Sequence, residues 1–100
     1  MKYNKLVRDR IIEIIERKGE KASYHTATDE EYRQKLNEKL REEVDEFLES
    51  ENKEEMADIF EVITSLLKLS GWSLEEIVSL QKEKCEKRGG FDKRIILEES

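Results

Sequence analysis

Two short stretches of the chain carry acidic residues three positions apart. One contains Glu43 and Glu46, and the other contains Glu55 and Asp58. Residues at this spacing lie on the same face of a helix, so each pair would present two carboxylates side by side. Mg²⁺ takes carboxylate oxygens from proteins and completes its shell with water and phosphate oxygens. The pattern therefore indicates metal-assisted chemistry on a phosphorylated ligand.

Helical patterns over residues 29–49 and 53–70 place the two pairs on neighbouring helices. The connection between these helices is short, which favours an antiparallel hairpin. Positions equally far from the turn then lie at the same height, so Glu46 is paired with Glu55 and Glu43 with Asp58. At ~1.5 Å of rise per residue, the two levels lie about 4–5 Å apart. We expect these four carboxylates to surround one cation.

An alternative interpretation is a solvated acidic face. The chain has 25 acidic residues in 100, and pairs at this spacing arise by chance about six times in such a composition. Glu55 also suits a helix cap, and acidic residues generally favour helix N-termini. Against this interpretation, Asp58 is flanked on both sides by apolar residues and so borders the core. Like charges beside a core are costly unless a positive group compensates them, which favours the metal site.

Capping residues and glycines predict where the helices begin and end. Three of the four predicted starts combine a capping residue with a glutamate three positions later, and glycines follow three of the predicted C-termini. We expect helices over residues 7–18, 29–49, 53–70 and 74–87. The chain is thus predicted to be a single all-α domain over residues 1–100, a four-helix bundle-like fold with a central antiparallel hairpin. The signals are Thr28 with Glu31, Asn52 with Glu55, Ser73 with Glu76, and Gly19, Gly71, Gly89 and Gly90.

The third predicted helix is apolar around most of its circumference, whereas the second is apolar along one stripe. A helix that is apolar nearly all round is expected to be surrounded by protein. Apolar residues make up only 36% of the chain and charged residues 44%, which is a thin core for a monomer of this size. We therefore predict self-association, as a homodimer or homotetramer. Residues 95–97 are apolar, and the sequence leaves open a strand-like arm or a packed extension.

The composition also excludes several kinds of partner. The net charge of −6 argues against binding a nucleic acid polymer, which relies on a surplus of Lys and Arg. No stretch reaches the ~18–20 apolar residues of a membrane span, and the opening residues lack the apolar core of a signal peptide. Cys85 is the only cysteine, so no disulfide framework is expected. We expect a cytoplasmic protein that does not bind membranes.

The acidic motif, taken with both ends of the chain, resembles a known family. Glu42-Glu43-x-x-Glu46, followed by Glu55-x-x-Asp58, is similar to the signature of the MazG-like all-α nucleoside triphosphate pyrophosphohydrolases. That superfamily includes dimeric dUTPases and phosphoribosyl-ATP pyrophosphohydrolase. The segments that resemble the ends of a small single-domain branch are Lys5-Leu6-Val7-Arg8-Asp9 and Lys87-Arg88-Gly89-Gly90-Phe91.

The resemblance implies hydrolysis of a nucleoside triphosphate to the monophosphate and pyrophosphate, with Mg²⁺ or Mn²⁺ as cofactor. The substrate would be a non-standard or surplus triphosphate, or phosphoribosyl-ATP as the alternative within the same chemistry. Carried over by position, the metal ligands are Glu43, Glu46, Glu55 and Asp58. The catalytic carboxylates are Glu42, Glu43 and Glu46. The substrate-binding cations are Lys5, Arg8, Lys87 and Arg88.

Two alternatives without catalysis or ligand binding remain open for these residues. Cations at the end of a helix complement its dipole, which would account for Lys84, Lys87 and Arg88 without any ligand. The chain would also fit a non-catalytic helical dimerisation module whose acidic residues keep it in solution. Dependence on Mg²⁺ separates that module from the enzyme.

Overall fold

The computed structural model describes residues 4–100, which form four helices joined by loops. No strand occurs in that part of the chain. The all-α prediction is therefore confirmed, and the predicted bounds of the last three helices agree with the structure to within one residue. The helices are α1 (Ile11–Arg17), α2 (Asp29–Ser50), α3 (Lys53–Ser70) and α4 (Leu74–Arg88).

Helices α2 and α3 form the predicted antiparallel hairpin. At its closed end, Glu51 ends α2 in a left-handed conformation with φ 53°, and the Asn52 side chain begins α3. At its open end, Arg33 Nη2 donates a hydrogen bond to Ser70 Oγ at 3.3 Å. This helix pair has the most extensive packing of any in residues 4–100. The hairpin is the framework that positions the candidate site.

Side-chain caps begin the last three helices, as predicted. Ser73 and Glu76 form a complete capping box, in which each side chain accepts a hydrogen bond from the other residue's backbone amide. Thr28 Oγ1 accepts from the Glu31 amide at 3.2 Å, but the reciprocal bond is missing. The Glu31 carboxylate instead lies 2.9 Å from His25 Nε2. The predicted box at the start of α2 is thus only half formed.

Helix α1 begins at Ile11, so its predicted start at Val7 was wrong. Arg10 precedes the helix without a side-chain capping bond. The first turn is closed by the Ile11 amide, which donates to the Arg8 carbonyl oxygen at 3.0 Å. Leu6, directly ahead of Val7, offers no polar atom to cap a helix, and since Arg10 supplies no capping bond either, the turn closed by the Arg8 carbonyl oxygen sets the start at Ile11. Residues 4–8 consequently run as a non-helical segment.

The core of one chain is small and lies between α2 and α3. Leu36 and Val62 are its buried hydrophobic residues. On the flank of α3, Met56 and Phe60 are exposed, Phe60 at 58%. Helix α3 is thus apolar beyond the face that α2 covers, which is the exposed flank expected of a single chain.

Helix α4 is exposed along its whole length, including Leu74 at 60% and Leu80 at 53%. The radius of gyration is 18.1 Å, against about 13 Å for a compact domain of this length. The expected four-helix packing is therefore not realised within one chain, where only α2 and α3 pack extensively. The sequence pattern shows that a helix has an apolar face, but it does not show which chain covers that face.

Residues 89–100 follow α4 without helix or strand. Ile95, Ile96 and Leu97 are exposed, so within one chain they form neither the strand-like arm nor the packed extension considered above. In the part of the chain that the structure describes, no helix has the length and apolar character needed to cross a bilayer.

Candidate metal centre

The hairpin brings carboxylates from both of its helices together near the turn. Glu42, Glu43 and Glu46, all on α2, each offer an oxygen within 4.8 Å of the others. Glu43, Glu55 and Asp58 do the same across the two helices. These five residues are called the acidic cluster below. Glu43 belongs to both groups and is therefore its central member.

Glu43 is buried, with 6% of its surface exposed. Its Oε2 atom has no hydrogen-bond partner among the described residues, while its Oε1 lies 3.5 Å from Lys39 Nζ. Burial raises the pKa of this carboxyl above its ordinary value of 4.5, and Glu46 and Asp58 raise it further, whereas Lys39 lowers it. Because its surroundings oppose the charge, this carboxylate needs a nearby cation or a proton.

Glu55 provides a second buried carboxylate oxygen without a partner, its Oε2. The start of α3 sets the position of this residue, since its amide donates to Asn52 Oδ1 at 3.0 Å. Unsatisfied buried oxygens are uncommon in folded proteins, and each one requires a cause. A group of carboxylate oxygens is the ligand set that hard divalent cations take. The acidic cluster therefore contains the ligand type that such cations take, with Glu43, Glu55 and Asp58 in one group. The predicted ligand Glu46 shares its group with Glu42 and Glu43, but not with Glu55 or Asp58.

Lys5, Arg8 and Lys39 contact the acidic cluster and are called the rim cations below. Lys5 and Arg8 belong to the segment before α1, and Lys39 lies on α2. Each rim cation contacts a different carboxylate of the cluster. The contacts are Arg8 Nη2–Asp58 Oδ1 at 2.7 Å, Lys5 Nζ–Glu42 Oε1 at 3.3 Å and Lys39 Nζ–Glu43 Oε1 at 3.5 Å.

The predicted substrate-binding cations thus separate into two groups. Lys5 and Arg8 lie against the cluster, as described. Lys87 Nζ instead contacts Glu83 Oε1 at 3.3 Å within α4. In residues 4–100 of one chain, neither Lys87 nor Arg88 has an ion pair with the cluster.

Lys39 was missed by the sequence reasoning, although a signal was present. It lies four positions before Glu43, a spacing at which opposite charges meet on a helix. The signal was hidden because 19 cationic and 25 acidic residues produce many such pairs. Glu13 and Arg17, for example, form such an ion pair on α1, and Glu13 belongs to neither of the two carboxylate groups.

No protein-family model, curated protein or solved structure matches this chain. The interpretation of the acidic cluster therefore depends on its own geometry and on the motif resemblance described above.

Proposed function

We propose that this chain is a Mg²⁺-dependent nucleoside triphosphate pyrophosphohydrolase. The observation that carries the proposal is the Glu43 carboxylate, which is buried, shared by both carboxylate groups and left with an unpartnered oxygen. A carboxylate with only a structural role in such a place is normally satisfied by hydrogen-bond donors. The resemblance of the acidic motif to the MazG-like enzymes supplies the reaction class.

The cation, Mg²⁺ or Mn²⁺, would be held by Glu43, Glu46, Glu55 and Asp58. When bound, it supplies positive charge against the oxygens of the triphosphate. In the reaction, a water oxygen attacks the α-phosphorus, the bond to the α–β bridging oxygen breaks, and pyrophosphate leaves. The proton released by the water passes to a carboxylate of the cluster, for which Glu42 and Glu46 are the candidates.

The cations of the N-terminal segment support a polyphosphate substrate. Arg8 and Lys5 already lie beside the cluster, where the negative charge of a phosphate would be close to them. Guanidinium and ammonium groups are the usual partners of phosphate oxygens. Lys87 and Arg88 would join the site only if a second copy of the chain delivered them.

A homo-oligomer, dimer or tetramer, is part of the proposal. Its support is the full exposure of α4, the exposed apolar flank of α3 and the two-residue buried core of one chain. Monomeric proteins rarely expose apolar surface of this extent, and where it occurs it marks an interaction site. A second copy of the chain would cover this apolar surface without any other partner protein.

The direct test is a panel of nucleoside triphosphates, standard and non-standard, incubated with the protein and Mg²⁺. Pyrophosphate and orthophosphate are measured separately, and phosphoribosyl-ATP is included as its own arm. We expect pyrophosphate without orthophosphate, and loss of the signal in EDTA. Turnover confined to phosphoribosyl-ATP would identify the alternative substrate. Absence of any metal-dependent turnover, with no binding of Mg²⁺ or Mn²⁺, would favour the non-catalytic dimerisation module.

A further inference from the structure

We propose that the rim cations have two roles at the acidic cluster. Arg8 and Lys39 compete with the divalent cation for the carboxylates, and the rim cations bind the phosphate groups of the substrate. This inference rests on the proposed function, because it requires a divalent-cation site at the cluster. It goes beyond that function by assigning Lys39 and by giving Arg8 a second, opposing effect on metal affinity.

The competition follows from which atoms are in contact. Arg8 Nη2 donates to Asp58 Oδ1, and Lys39 Nζ lies beside Glu43 Oε1, so both draw on carboxylates that are proposed metal ligands. Each positive charge stabilises the ionised carboxylates and also repels a second cation that approaches them. The buried Oε2 atoms of Glu43 and Glu55 have no hydrogen-bond partner among the described residues. The cluster thus keeps coordinating capacity while the rim cations lower its affinity.

The second role follows from exposure and donor capacity. The side chains of Lys5 and Arg8 are 56% and 57% exposed, so they can turn to a ligand without breaking a packed structure. Nη2 of Arg8 contacts Asp58, and its other terminal nitrogen, Nη1, lies 3.8 Å from Glu61 Oε1. A guanidinium group has five N–H donors in a planar fork that matches phosphate. Once a divalent cation offsets the carboxylates, these donors have a phosphate oxygen as the better partner.

A purely structural role predicts a different result. If the rim cations only hold the cluster and the N-terminal segment in place, removing one would disturb both ligands, and affinity for each would fall. If they act as proposed, removing one strengthens the binding of the metal alone and weakens the binding of polyphosphate. The two effects have opposite signs, so a single variant separates the explanations.

The first test compares Lys39→Gln with Lys35→Gln. Lys35 lies one turn earlier on α2 and is similarly exposed, at 26% against 27%. It pairs with Glu38 at 3.2 Å, which is not a member of the acidic cluster. The probes are Mn²⁺ alone, followed by electron paramagnetic resonance, and inorganic tripolyphosphate in the presence of Mg²⁺, followed by calorimetry.

We expect Lys39→Gln to bind Mn²⁺ about threefold more tightly than the wild type, the size typical of a partly exposed charge pair. The same variant should bind tripolyphosphate about fivefold more weakly, since the positive charge 3.5 Å from Glu43 Oε1 is lost from beside the proposed phosphate site. Lys35→Gln should shift the affinity for Mn²⁺ by less than about half as much, because its charge pairs with Glu38, outside the acidic cluster.

The second test applies the same measurements to Arg8→Gln, with Arg17→Gln as its control. Arg17 pairs with Glu13 on α1 and contacts no member of the cluster. The same opposite shifts are expected for Arg8→Gln only. Arg8→Lys keeps the charge and should retain metal affinity near the wild-type value, even if the local structure changes slightly.

The outcomes separate the two proposals. Wild-type protein that binds Mn²⁺, with variants that match their controls, would overturn the rim-cation role and leave the proposed function standing. Weaker binding of both probes by Lys39→Gln and Arg8→Gln would also overturn it, in favour of a structural role. Wild-type protein that fails to bind Mn²⁺ would overturn the proposed function and this inference together.

Discussion

At the residue scale, Glu43 is in a place that opposes its charge. Burial raises the pKa of its carboxyl, and the carboxylates of Glu46 and Asp58 raise it further. Had the residue been turned outward on α2, water would have solvated it at no such cost. Within residues 4–100, Lys39 Nζ lies 3.5 Å from Glu43 Oε1, and Glu43 Oε2 has no hydrogen-bond partner. A bound divalent cation would compensate the buried charge of Glu43 and would give its Oε2 atom a partner.

The raised pKa of Glu43 predicts how stability depends on pH when EDTA removes metal. Because the folded-state pKa lies above the ordinary value of 4.5, the folded protein takes up a proton before the unfolded chain does. The contribution of Glu43 to stability therefore grows as the pH falls through the folded-state pKa, and is lost as the pH rises. Thermal melts between about pH 7 and about pH 5 should show this gain in wild type relative to Glu43→Gln. Parallel pH profiles for the two proteins would contradict it.

Asp58 gives a prediction on activity. If Asp58 holds the metal as proposed, Asp58→Asn should lower kcat by about 100-fold or more, because its loss would misplace the reacting phosphate and water. Its effect on the melting temperature in EDTA should be small, since the ion pair with Arg8 is partly exposed, at 38% for Asp58 and 57% for Arg8. Glu61→Gln, which alters the more distant partner of Arg8, serves as the control and should keep most of the activity. Equal loss in both variants would remove Asp58 from the site.

At the element scale, the hairpin and its caps were predictable because the signals are local. Asn52, Ser73 and Gly71 each act within a few residues of themselves, and the structure has them at the predicted helix ends. The meeting of Glu43 with Asp58 followed from one short turn and a constant rise per residue. The start of α1 was less predictable, because no capping side chain marks it, and the contacts of Arg8 depend on α3, fifty residues away.

Gly71 gives a prediction at the same scale. It ends α3 with φ 75°, and a Cβ added there would have nothing within 4 Å, so any cost comes from the backbone alone. Gly71→Ala should lower the free energy of unfolding by about 1 kcal/mol, measured by urea denaturation. Gly90→Ala is the matched control, since its φ is outside the left-handed region and its added Cβ would meet only Cys85 Sγ, at 4.0 Å. Equal effects of the two substitutions would contradict the backbone explanation.

At the scale of the whole molecule, one chain is elongated, measuring 58 × 31 × 23 Å. Its buried hydrophobic residues, Leu36 and Val62, are too few to hold α4 and residues 89–100 in place. The sequence indicated a shortage of apolar residues, but the fourth helix, predicted from its capping residues and glycines, was assigned to the same bundle as the hairpin. Only three-dimensional placement shows that its apolar side chains remain uncovered within one chain.

Self-association through α4 is the corresponding prediction. Sedimentation at micromolar concentration should show a species at least twice the 11.9 kDa of one chain. Ile77→Glu should shift the protein toward the single chain, because it places a charge on the apolar side of α4. Ser79→Glu, on the opposite side of the same helix, should leave the assembly intact. A wild-type protein that sediments only at 11.9 kDa would contradict the prediction.

The most direct test of the metal site is the Mg²⁺-induced change in melting temperature, measured at one protein concentration for wild type, Glu43→Gln and Glu38→Gln. Ligand at about 100 times its dissociation constant stabilises a folded protein by about 2.7 kcal/mol, which corresponds to a rise of about 13 °C for a domain of this size. We expect that rise in wild type and in Glu38→Gln, whose substituted residue lies on α2 outside the acidic cluster. Glu43→Gln should melt in EDTA at or above the wild-type temperature and respond little to Mg²⁺. Equal Mg²⁺-induced shifts in all three proteins would contradict the site.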